Sequence, residues 1–284
     1  MIVSVVANRD HDPDFYYTNL ICRRLHELGS EVRVEECYQK SGPSGMHAWK
    51  PALQNKKSDL IITLGGDGTI LNVAKGAAQA DIPVLGINIG RLGFMAGIEA
   101  DELAALPKLL TGSYQIEQRM MLEVCIQHEG QAAKHYYALN DAVVSKGAVS
   151  RIIDISVTCN GRFVWNYRAD GLILATPTGS TAYSLSAGGP VIDPAIESVV
   201  VTPICPHSLI SRTMLFSPES SLGVKVDDLE SRQAFLTVDG QEIITLQQKD
   251  EIAVTRAAVK AKLIRLKDTA FYEVLNRKFL ERGI

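Results

Sequence analysis

The chain has 284 residues, 46% of them hydrophobic and 21% charged, with a formal net charge of −3. This composition is typical of a globular protein, and the length suffices for one large domain or two ordinary ones. The weak acidic excess provides no basic surface for nucleic acid or anionic membranes, so we expect neither as a partner. No apolar run approaches the roughly 18 residues that a membrane helix needs.

Cysteine usage indicates the compartment. Five cysteines are scattered along the chain, and no two of them form a Cys-x-x-Cys pair. An odd and scattered set argues against a disulfide framework and against a cysteine zinc site. The first seven residues also lack the basic segment and apolar core of a signal peptide. We therefore expect a reduced, cytoplasmic enzyme or binding protein.

The first part of the chain alternates between strand and helix patterns. The predicted strands are 2–7, 32–34, 59–64 and 82–88, and the predicted helices are 12–28, a segment that ends near 80, and 101–110. A stretch rich in helix breakers at 40–51 predicts a loop. Alternating strands and helices favour an open parallel sheet, in which ligands bind at the carboxyl ends of the strands.

The rest of the chain is dominated by strand patterns. Asn160-Gly161 and Asp239-Gly240 each separate two such patterns and predict β-hairpins. We therefore expect an α/β fold followed by an all-β fold: a Rossmann-like parallel domain at 1–115 and a β-sandwich-like domain at 116–267. The final segment, 268–284, is predicted to form a helix that packs back on the first domain.

A glycine-rich loop follows the predicted strand 59–64. Its sequence is Gly65-Gly66-Asp67-Gly68-Thr69, and a helical pattern begins at once. Glycines allow backbone N–H groups to approach a phosphate, and a helix N-terminus adds a positive dipole. A carboxylate would repel that phosphate, so Asp67 needs a task such as steering a metal or accepting a proton. The structural alternative is a tight turn in which Asp67 caps the helix.

Two absences in this loop narrow its chemistry. The segment has neither the third glycine of a dinucleotide fingerprint nor the lysine of a Walker loop. If the loop holds phosphate, it does so with amides and a metal.

Two further polar clusters could bind a nucleotide. The stretch from Arg168 to Pro190 contains many hydroxyls and glycines, which could contact ribose or amide groups, and Tyr183, which could stack on a base. Ordinary surface loops favour the same residues, so composition alone leaves both interpretations open. Asn140 could bind an adenine edge and Asp141 a ribose diol, although such a pair is most often a turn.

Together these motifs resemble the NAD kinases, in the same order and over nearly the whole chain. The four matching segments are Gly65–Thr69, Asn140-Asp141, Asp170–Tyr183 and Asp239-Gly240-Gln241. The first is shared with phosphofructokinases and lipid kinases, whereas the third is long and nearly diagnostic. The chain departs from the family at Asp141, where glutamate is usual.

The resemblance implies an N-terminal α/β domain and a C-terminal β domain, with NAD bound between them in a homo-oligomer, a dimer or a tetramer. It implies that Asp67 is the proton acceptor and that Gly65, Gly66, Gly68 and Thr69 form a phosphate-binding loop. The NAD-binding residues that it implies are Asp67, Gly68, Asn140, Asp141, Arg151, Arg168, Asp170, Thr181, Ala182, Tyr183, Ser184, Leu185, Ser186 and Gln241.

The implied reaction is transfer of the terminal phosphoryl group of ATP to the 2′-hydroxyl of the adenosine ribose of NAD. A divalent cation, Mg²⁺, would neutralise the triphosphate, and the sequence identifies no protein ligand for it. Polyphosphate is an alternative donor within the family. A lipid or sugar kinase that shares only the glycine loop would leave Thr176–Ser186 without a purpose. A non-catalytic NAD(P)-binding regulator would leave Asp67 unexplained.

Overall fold

The structure is a computed structural model, and it describes residues 1–37, 58–90, 92–148, 151–208, 211–229, 232–268 and 271–281. Two compact units form the chain: one contains residues 1–119 and 259–284, and the other contains residues 120–258. The loop predicted at 40–51 lies outside the described residues. None of the helices within the described ranges has the length and apolar character needed to cross a membrane.

The described residues form nineteen strands and five α-helices. The strands, in chain order, are β1 (Ile2–Asn8), β2 (Glu31–Cys37), β3 (Leu60–Gly65), β4 (Val84–Asn88), β5 (Ile98–Glu99), β6 (Gln115–Arg119), β7 (Leu122–Gln127), β8 (Lys134–Ala138), β9 (Asp141–Lys146), β10 (Ile153–Cys159), β11 (Arg162–Ala169), β12 (Gly171–Ala175), β13 (Val199–Ile204), β14 (Met214–Phe216), β15 (Leu222–Asp227), β16 (Ala234–Val238), β17 (Glu242–Thr245), β18 (Glu251–Arg256) and β19 (Ala261–Arg265). The helices are α1 (Tyr16–Glu27), α2 (Asp67–Gln79), α3 (Pro107–Thr111), α4 (Tyr183–Ser186) and α5 (Phe271–Glu281).

The first unit is built on a mixed sheet. Its order is β2-β1-β3-β4-β19-β6, and the short β5 pairs with β4. Strands β1 to β4 run parallel, as predicted, whereas β6 runs antiparallel to β19. Every residue of β3 is buried, which explains why this strand is apolar except for Thr63 and lacks the polar alternation of a half-exposed strand. The carboxyl end of β3 leads directly into the glycine loop.

Helix boundaries in the first unit differ from the prediction for local reasons. Helix α1 begins at Tyr16, four residues later than predicted, because the carboxylate of Asp12 accepts the N–H groups of Tyr17 and Thr18 from outside the helix. The helix predicted at 101–110 is a 3₁₀ helix at Ala100–Ala105 followed by α3. Pro107 begins this second helix, at the position where its missing N–H costs least.

The boundaries of the two units differ from the predicted boundaries, 1–115 and 116–267. Strands β6 and β19 pair with each other, and β19 also pairs with β4, so both belong to the first sheet. Helix α5 follows β19, and the ring of Phe271 lies 5.9 Å from the ring of Phe94.

The second unit contains two antiparallel six-stranded sheets. Their orders are β11-β10-β15-β18-β7-β8 and β14-β13-β12-β9-β16-β17. Apolar side chains from both sheets form one buried cluster, so the unit is a β-sandwich, as predicted. Both predicted hairpins are confirmed: Asn160-Gly161 joins β10 to β11, and Asp239-Gly240 joins β16 to β17, all four residues with positive φ.

Candidate functional site

The glycine loop has the geometry of a tight strand-to-helix connection. Gly65 ends β3 with φ of 150°, and a Cβ at this position would clash with the side chain of Thr69. Gly66 is the N-cap of α2 and Asp67 is its first helical residue, without a side-chain capping hydrogen bond. The alternative in which Asp67 caps the helix is therefore wrong.

The carboxylate of Asp67 is held from the opposite side by a second loop, residues 92–97. The N–H of Phe94 donates to Oδ2 at 2.8 Å, and the N–H of Met95 donates to Oδ1 at 3.0 Å. Gly93 lies so close that a Cβ there would clash with the same carboxylate. Each oxygen thus has one amide donor and keeps a lone pair for another. With 28% of its side chain exposed, Asp67 is fixed in orientation and still accessible to a ligand.

Lys278 on α5 also approaches this carboxylate. Its Nζ lies 3.7 Å from Oδ2 of Asp67 and 4.1 Å from the centre of the Phe94 ring. The ammonium group therefore interacts with both the acid and an aromatic face. Neither Lys278 nor a residue of the 92–97 loop is among the site residues predicted from the sequence, which predicts only a loop at 89–94. The loop had a usable signal, since Gly90 and Gly93 follow β4 at the same edge of the sheet where β3 ends.

The four residues predicted to bind phosphate differ in accessibility. Gly65 and Thr69 are buried, and the Thr69 hydroxyl accepts a hydrogen bond from Nδ2 of Asn8 at 2.9 Å. Gly66 is half-buried and Gly68 is exposed. The amides of Gly66 and Gly68, at the first turn of α2, are thus the members of this set that a phosphate can reach.

In the second unit, one carboxylate organises the Asn140-Asp141 segment. Asp239 accepts the backbone N–H groups of Leu139, Asn140 and Asp141 at 2.9, 2.8 and 3.0 Å. The Asp239 residue is 7% exposed, so these charge-assisted hydrogen bonds form where water competes little. Asp239 thus holds the segment as well as forming the turn between β16 and β17.

The hydroxyl-rich motif meets the same segment. The Thr176 hydroxyl donates to the carbonyl of Leu139 at 2.6 Å, and the Thr176 N–H donates to the carbonyl of Asn140 at 2.8 Å. Gly179 lies against Asn140, where any Cβ would clash with the Asn140 backbone. Three motifs that are far apart in sequence therefore form one hydrogen-bonded cluster. We call Leu139–Asp141, Thr176, Gly179 and Asp239 the Asp239 cluster.

The remaining predicted NAD-binding residues lie in several environments. Arg151, Arg168 and Tyr183 are exposed, and Asn140, Asp170 and Gln241 are half-buried. Asp170 pairs with Lys146 at 3.1 Å. The predicted run from Thr181 to Ser186 forms the end of a 3₁₀ turn and the single-turn helix α4.

Two residues of the predicted set are buried. Asp141 is 6% exposed, and Ser184 is fully buried with its hydroxyl 3.0 Å from that of Thr202. The hydroxyl of Ser184 thus holds α4 against β13.

A charged network lies behind the 92–97 loop. Glu117 pairs with Arg119 and with Arg265, each at 2.8 Å. Burial raises the pKa of Glu117, but the two guanidinium groups outweigh it, and the pKa lies below its usual value. Burial also lowers the pKa of Arg119, against the opposing effect of Glu117. The network keeps Glu117 ionised beside its two arginines.

Two protein-family models match this chain. The model described as "ATP-NAD kinase N-terminal domain" matches residues 3–115, and the model described as "ATP-NAD kinase C-terminal domain" matches residues 139–266. An NAD kinase of Caldanaerobacter subterraneus subsp. tengcongensis is 40% identical over 281 residues, which cover 99% of each chain. An NAD kinase of Thermoanaerobacter sp. (strain X514) is 39% identical over the same length and coverage.

Solved structures show the same relationship. Yeast NADH kinase in complex with NADH aligns with a TM-score of 0.82 and 26% identity, covering 97% of this chain and 86% of that chain. An NAD kinase from Archaeoglobus fulgidus in complex with ATP aligns with a TM-score of 0.75 and 25% identity, covering 98% of both chains. Since the family descriptions and the relatives span most of the sequence, the chain belongs to the ATP-NAD kinase family.

Proposed function

We propose that this protein transfers the terminal phosphoryl group of ATP to the 2′-hydroxyl of the adenosine ribose of NAD, giving NADP and ADP. The observation that carries the proposal is the setting of Asp67. In a chain of this family, a partly exposed carboxylate stands at the first turn of α2, oriented by the amides of Phe94 and Met95. A phosphate-binding loop without this acid would serve binding alone.

Asp67 is the proposed proton acceptor. A ribose hydroxyl is a poor nucleophile, and its attack on phosphorus requires that its proton be taken up. A positioned carboxylate that accepts the proton contributes typically about 10²–10⁴ in rate. The two amide donors leave each oxygen of Asp67 with capacity for a further hydrogen bond, as this role requires.

The donor side of the proposal uses backbone groups and one cation. The amides of half-buried Gly66 and exposed Gly68 would face the phosphates, and the N-terminus of α2 favours negative charge there. Lys278 adds a positive charge beside the loop. We propose that Gly65 and Thr69 contribute to this loop by shaping it, since both are buried.

Mg²⁺ enters the proposal as part of the MgATP substrate. Among the residues that the structure describes, no three His, Cys, Asp or Glu side chains are grouped so that they could hold a metal ion. Mg²⁺ in phosphoryl-transfer sites is usually held by substrate phosphates with one or two carboxylates. In this proposal the substrate phosphates hold the ion, and Asp67 keeps its remaining lone pairs for the ribose hydroxyl. Polyphosphate could replace ATP as the donor, since it presents the same phosphate chemistry.

The acceptor side of the proposal uses residues of the second unit. The Asn140 side chain offers a donor and an acceptor to the adenine edge, Asp141 would bind the ribose diol, and Tyr183, 46% exposed, would stack on a base. The other residues of this unit proposed to contact NAD are Arg151, Arg168, Asp170, Thr181, Ala182, Leu185, Ser186 and Gln241, while the fully buried Ser184 would contribute by holding α4 in place. Gly68, in the glycine loop of the first unit, is also proposed to contact NAD.

We also propose that the protein acts in the cytoplasm as a homo-oligomer, a dimer or a tetramer. The cysteines with described side chains, Cys22, Cys125, Cys159 and Cys205, are free thiols, which is typical of a reducing compartment.

The experiment that tests the proposed function compares acceptors. The purified protein is incubated with MgATP and NAD, diacylglycerol or fructose 6-phosphate, and NADP is measured with an NADP-specific dehydrogenase. We expect NADP and ADP in equal amounts from NAD. NAD binding without NADP formation under any divalent cation would indicate a non-catalytic binder and overturn the proposal, as would phosphorylation of the lipid or the sugar in place of NAD.

A further inference from the structure

We propose that Arg265 is a positioning residue for Asp67, acting through the 92–97 loop. The inference deepens the proposed function and rests on it, because it treats Asp67 as the group that accepts the proton. Arg265 is the last residue of β19 and belongs to the same unit as Asp67.

One side of the loop faces Asp67. Two consecutive amides, those of Phe94 and Met95, donate one hydrogen bond to each carboxylate oxygen. A carboxylate held at both oxygens has its plane and its direction determined by the loop. Any movement of the two amides therefore moves the proton-accepting group.

The carbonyl groups of the same loop face Arg265. Nη2 of Arg265 donates to the carbonyl of Phe94 at 3.0 Å, and Nη1 donates to the carbonyl of Ala96. Phe94 is thus held by its N–H to Asp67 and by its carbonyl to Arg265. A planar guanidinium group binds two carbonyls in a defined geometry, which a single ammonium group cannot reproduce.

Glu117 holds the Arg265 side chain in position. Its Nε donates to Oε2 of Glu117 at 2.8 Å, and Oε1 of Glu117 pairs with Arg119, a residue that is only 2% exposed. The end of the loop is fixed on the same strand, because a Cβ on Gly97 would clash with the carbonyl of Ile264. The guanidinium group is therefore anchored on β6 and β19 before it reaches the loop.

The packing around the loop is incomplete on one side. A cavity of about 80 Å³ lies beside the loop, and its lining includes Phe94, Ala96, Glu117, Arg119 and Arg265. Other contacts hold the rest of the loop, since the N–H of Gly97 donates to the carbonyl of Gly86 at 2.8 Å and Met95 is 3% exposed. On the cavity side, where packing is incomplete, the hydrogen bonds from Arg265 restrain the peptides of Phe94 and Ala96.

The consequence for catalysis is specific. Without the guanidinium group, the amides of Phe94 and Met95 are less well placed, and so is the carboxylate of Asp67. Misplacement of a reacting group by about 1 Å costs on the order of 100-fold in rate. Substrate binding by other residues is unaffected, so the loss falls on kcat rather than on KM.

The test begins with three variants. We expect Arg265→Gln to lower kcat about 10- to 100-fold with KM values for NAD and ATP within about threefold of wild type. Arg265→Lys, which keeps one charge-assisted donor, should recover part of this loss. The control is Arg256→Gln, which removes a partly exposed arginine that pairs with Glu197 and Glu219 in the other unit, and which should leave kcat unchanged. An Arg265→Gln variant with wild-type kcat would overturn the proposal.

A double-mutant cycle separates positioning from general destabilisation. If Arg265 acts through Asp67, Arg265→Gln should have little further effect on the residual rate of Asp67→Asn. A loss of the same size in both backgrounds would show that Arg265 acts by another route.

Hydrogen–deuterium exchange tests, independently of activity, whether Arg265 holds the amides of Phe94 and Met95 in place. The amides of Phe94 and Met95 should exchange faster in Arg265→Gln than in wild type, while peptides in the second unit are unchanged. Unchanged exchange at these amides would contradict the proposal, even if the wild-type protein makes NADP. Absence of NADP formation by the wild-type protein would instead overturn the proposed function and remove the catalytic role given to Arg265.

Discussion

The carboxylate of Asp239 accepts the backbone N–H of Asn140 at 2.8 Å, although 99 residues separate the two in sequence. The same carboxylate also accepts the N–H groups of Leu139 and Asp141. Asp239 therefore has two functions in the second unit: it forms the turn between β16 and β17, and it holds the segment that we propose to bind NAD. This relationship makes Asp239 a target for mutation, although it was not among the predicted site residues.

We expect Asp239→Asn to weaken both stability and NAD binding. An amide presents only one acceptor oxygen, and its NH₂ group faces a backbone N–H. Loss of buried, charge-assisted hydrogen bonds costs about 2–3 kcal/mol. Urea unfolding measures the first effect and calorimetric titration with NAD the second. Asp228→Asn is the control, since Asp228 is an exposed aspartate of the same unit that pairs with Arg232 at 3.7 Å. Equal stability and affinity in Asp239→Asn and wild type would refute the anchoring role.

A second prediction concerns Asp67. We expect Asp67→Asn to keep NAD binding while kcat falls by at least about 10²–10⁴, the usual contribution of general base catalysis. The new NH₂ group would face the N–H of Phe94 or Met95, so circular dichroism should confirm that the variant is folded. Steady-state kinetics with MgATP and NAD measures the change. Asp81→Asn removes another carboxylate from the same unit, one that pairs with Lys262 at the surface, and should keep full activity. Retained turnover in Asp67→Asn would remove Asp67 as the proton acceptor.

A third prediction concerns the contact between Gly179 and Asn140. A methyl group at position 179 would clash with the Asn140 backbone, so Gly179→Ala should displace Asn140 and raise the KM for NAD. Overpacking of this kind costs typically about 1–3 kcal/mol in stability. Thermal unfolding and KM measurements test both effects. Wild-type thermal stability and an unchanged KM for NAD in Gly179→Ala would show that this contact has no functional weight.

A fourth prediction concerns pH and Tyr167. The Tyr167 hydroxyl is buried without a hydrogen-bond partner among the described residues, and burial raises its pKa to about 12. The Tyr167 hydroxyl ionises near pH 10 in the unfolded chain but only near pH 12 in the folded protein. Between these pH values ionisation favours the unfolded chain, so the contribution of Tyr167 to the free energy of unfolding falls as pH rises from about 10 to 12. We expect the free energy of unfolding of Tyr167→Phe to exceed that of wild type by about 1 kcal/mol at neutral pH, because a buried hydroxyl without a hydrogen-bond partner is removed.

The advantage of Tyr167→Phe should grow above pH 10. Urea unfolding of the two proteins at pH 7 and at pH 10.5 measures both parts of the prediction. A variant that is less stable than wild type at both pH values would show that the hydroxyl contributes a favourable contact.

Several elements were predictable because their signals are local. The largely apolar sequence of β3, the glycines at 65–68 and the two hairpin turns each encode their conformation within a few residues. At Asn160-Gly161 and Asp239-Gly240 the positive φ values need residues that tolerate the left-handed region, and the sequence supplies them. The order of the four motifs likewise indicated the family from sequence alone.

The arrangement around Asp67 depended on tertiary structure. The sequence left Asp67 as a helix cap or as a group that steers a metal or accepts a proton, and the local pattern could not decide among these roles. The structure excludes the cap because the amides of Phe94 and Met95, 27 and 28 residues away, hold the carboxylate. Arg265, 171 residues from Phe94, completes this arrangement.

The boundary between the two units and the Asp239 cluster also depend on contacts between residues that are distant in sequence. Strand β19 joins the first sheet by pairing with β4 and β6, and Asp239 reaches Asn140 across 99 residues. Local sequence determines backbone propensities, turns and the types of reactive group, because these depend on neighbours in the chain. Which groups meet depends on how the strands are ordered and registered, and only the folded protein brings distant partners within hydrogen-bonding distance.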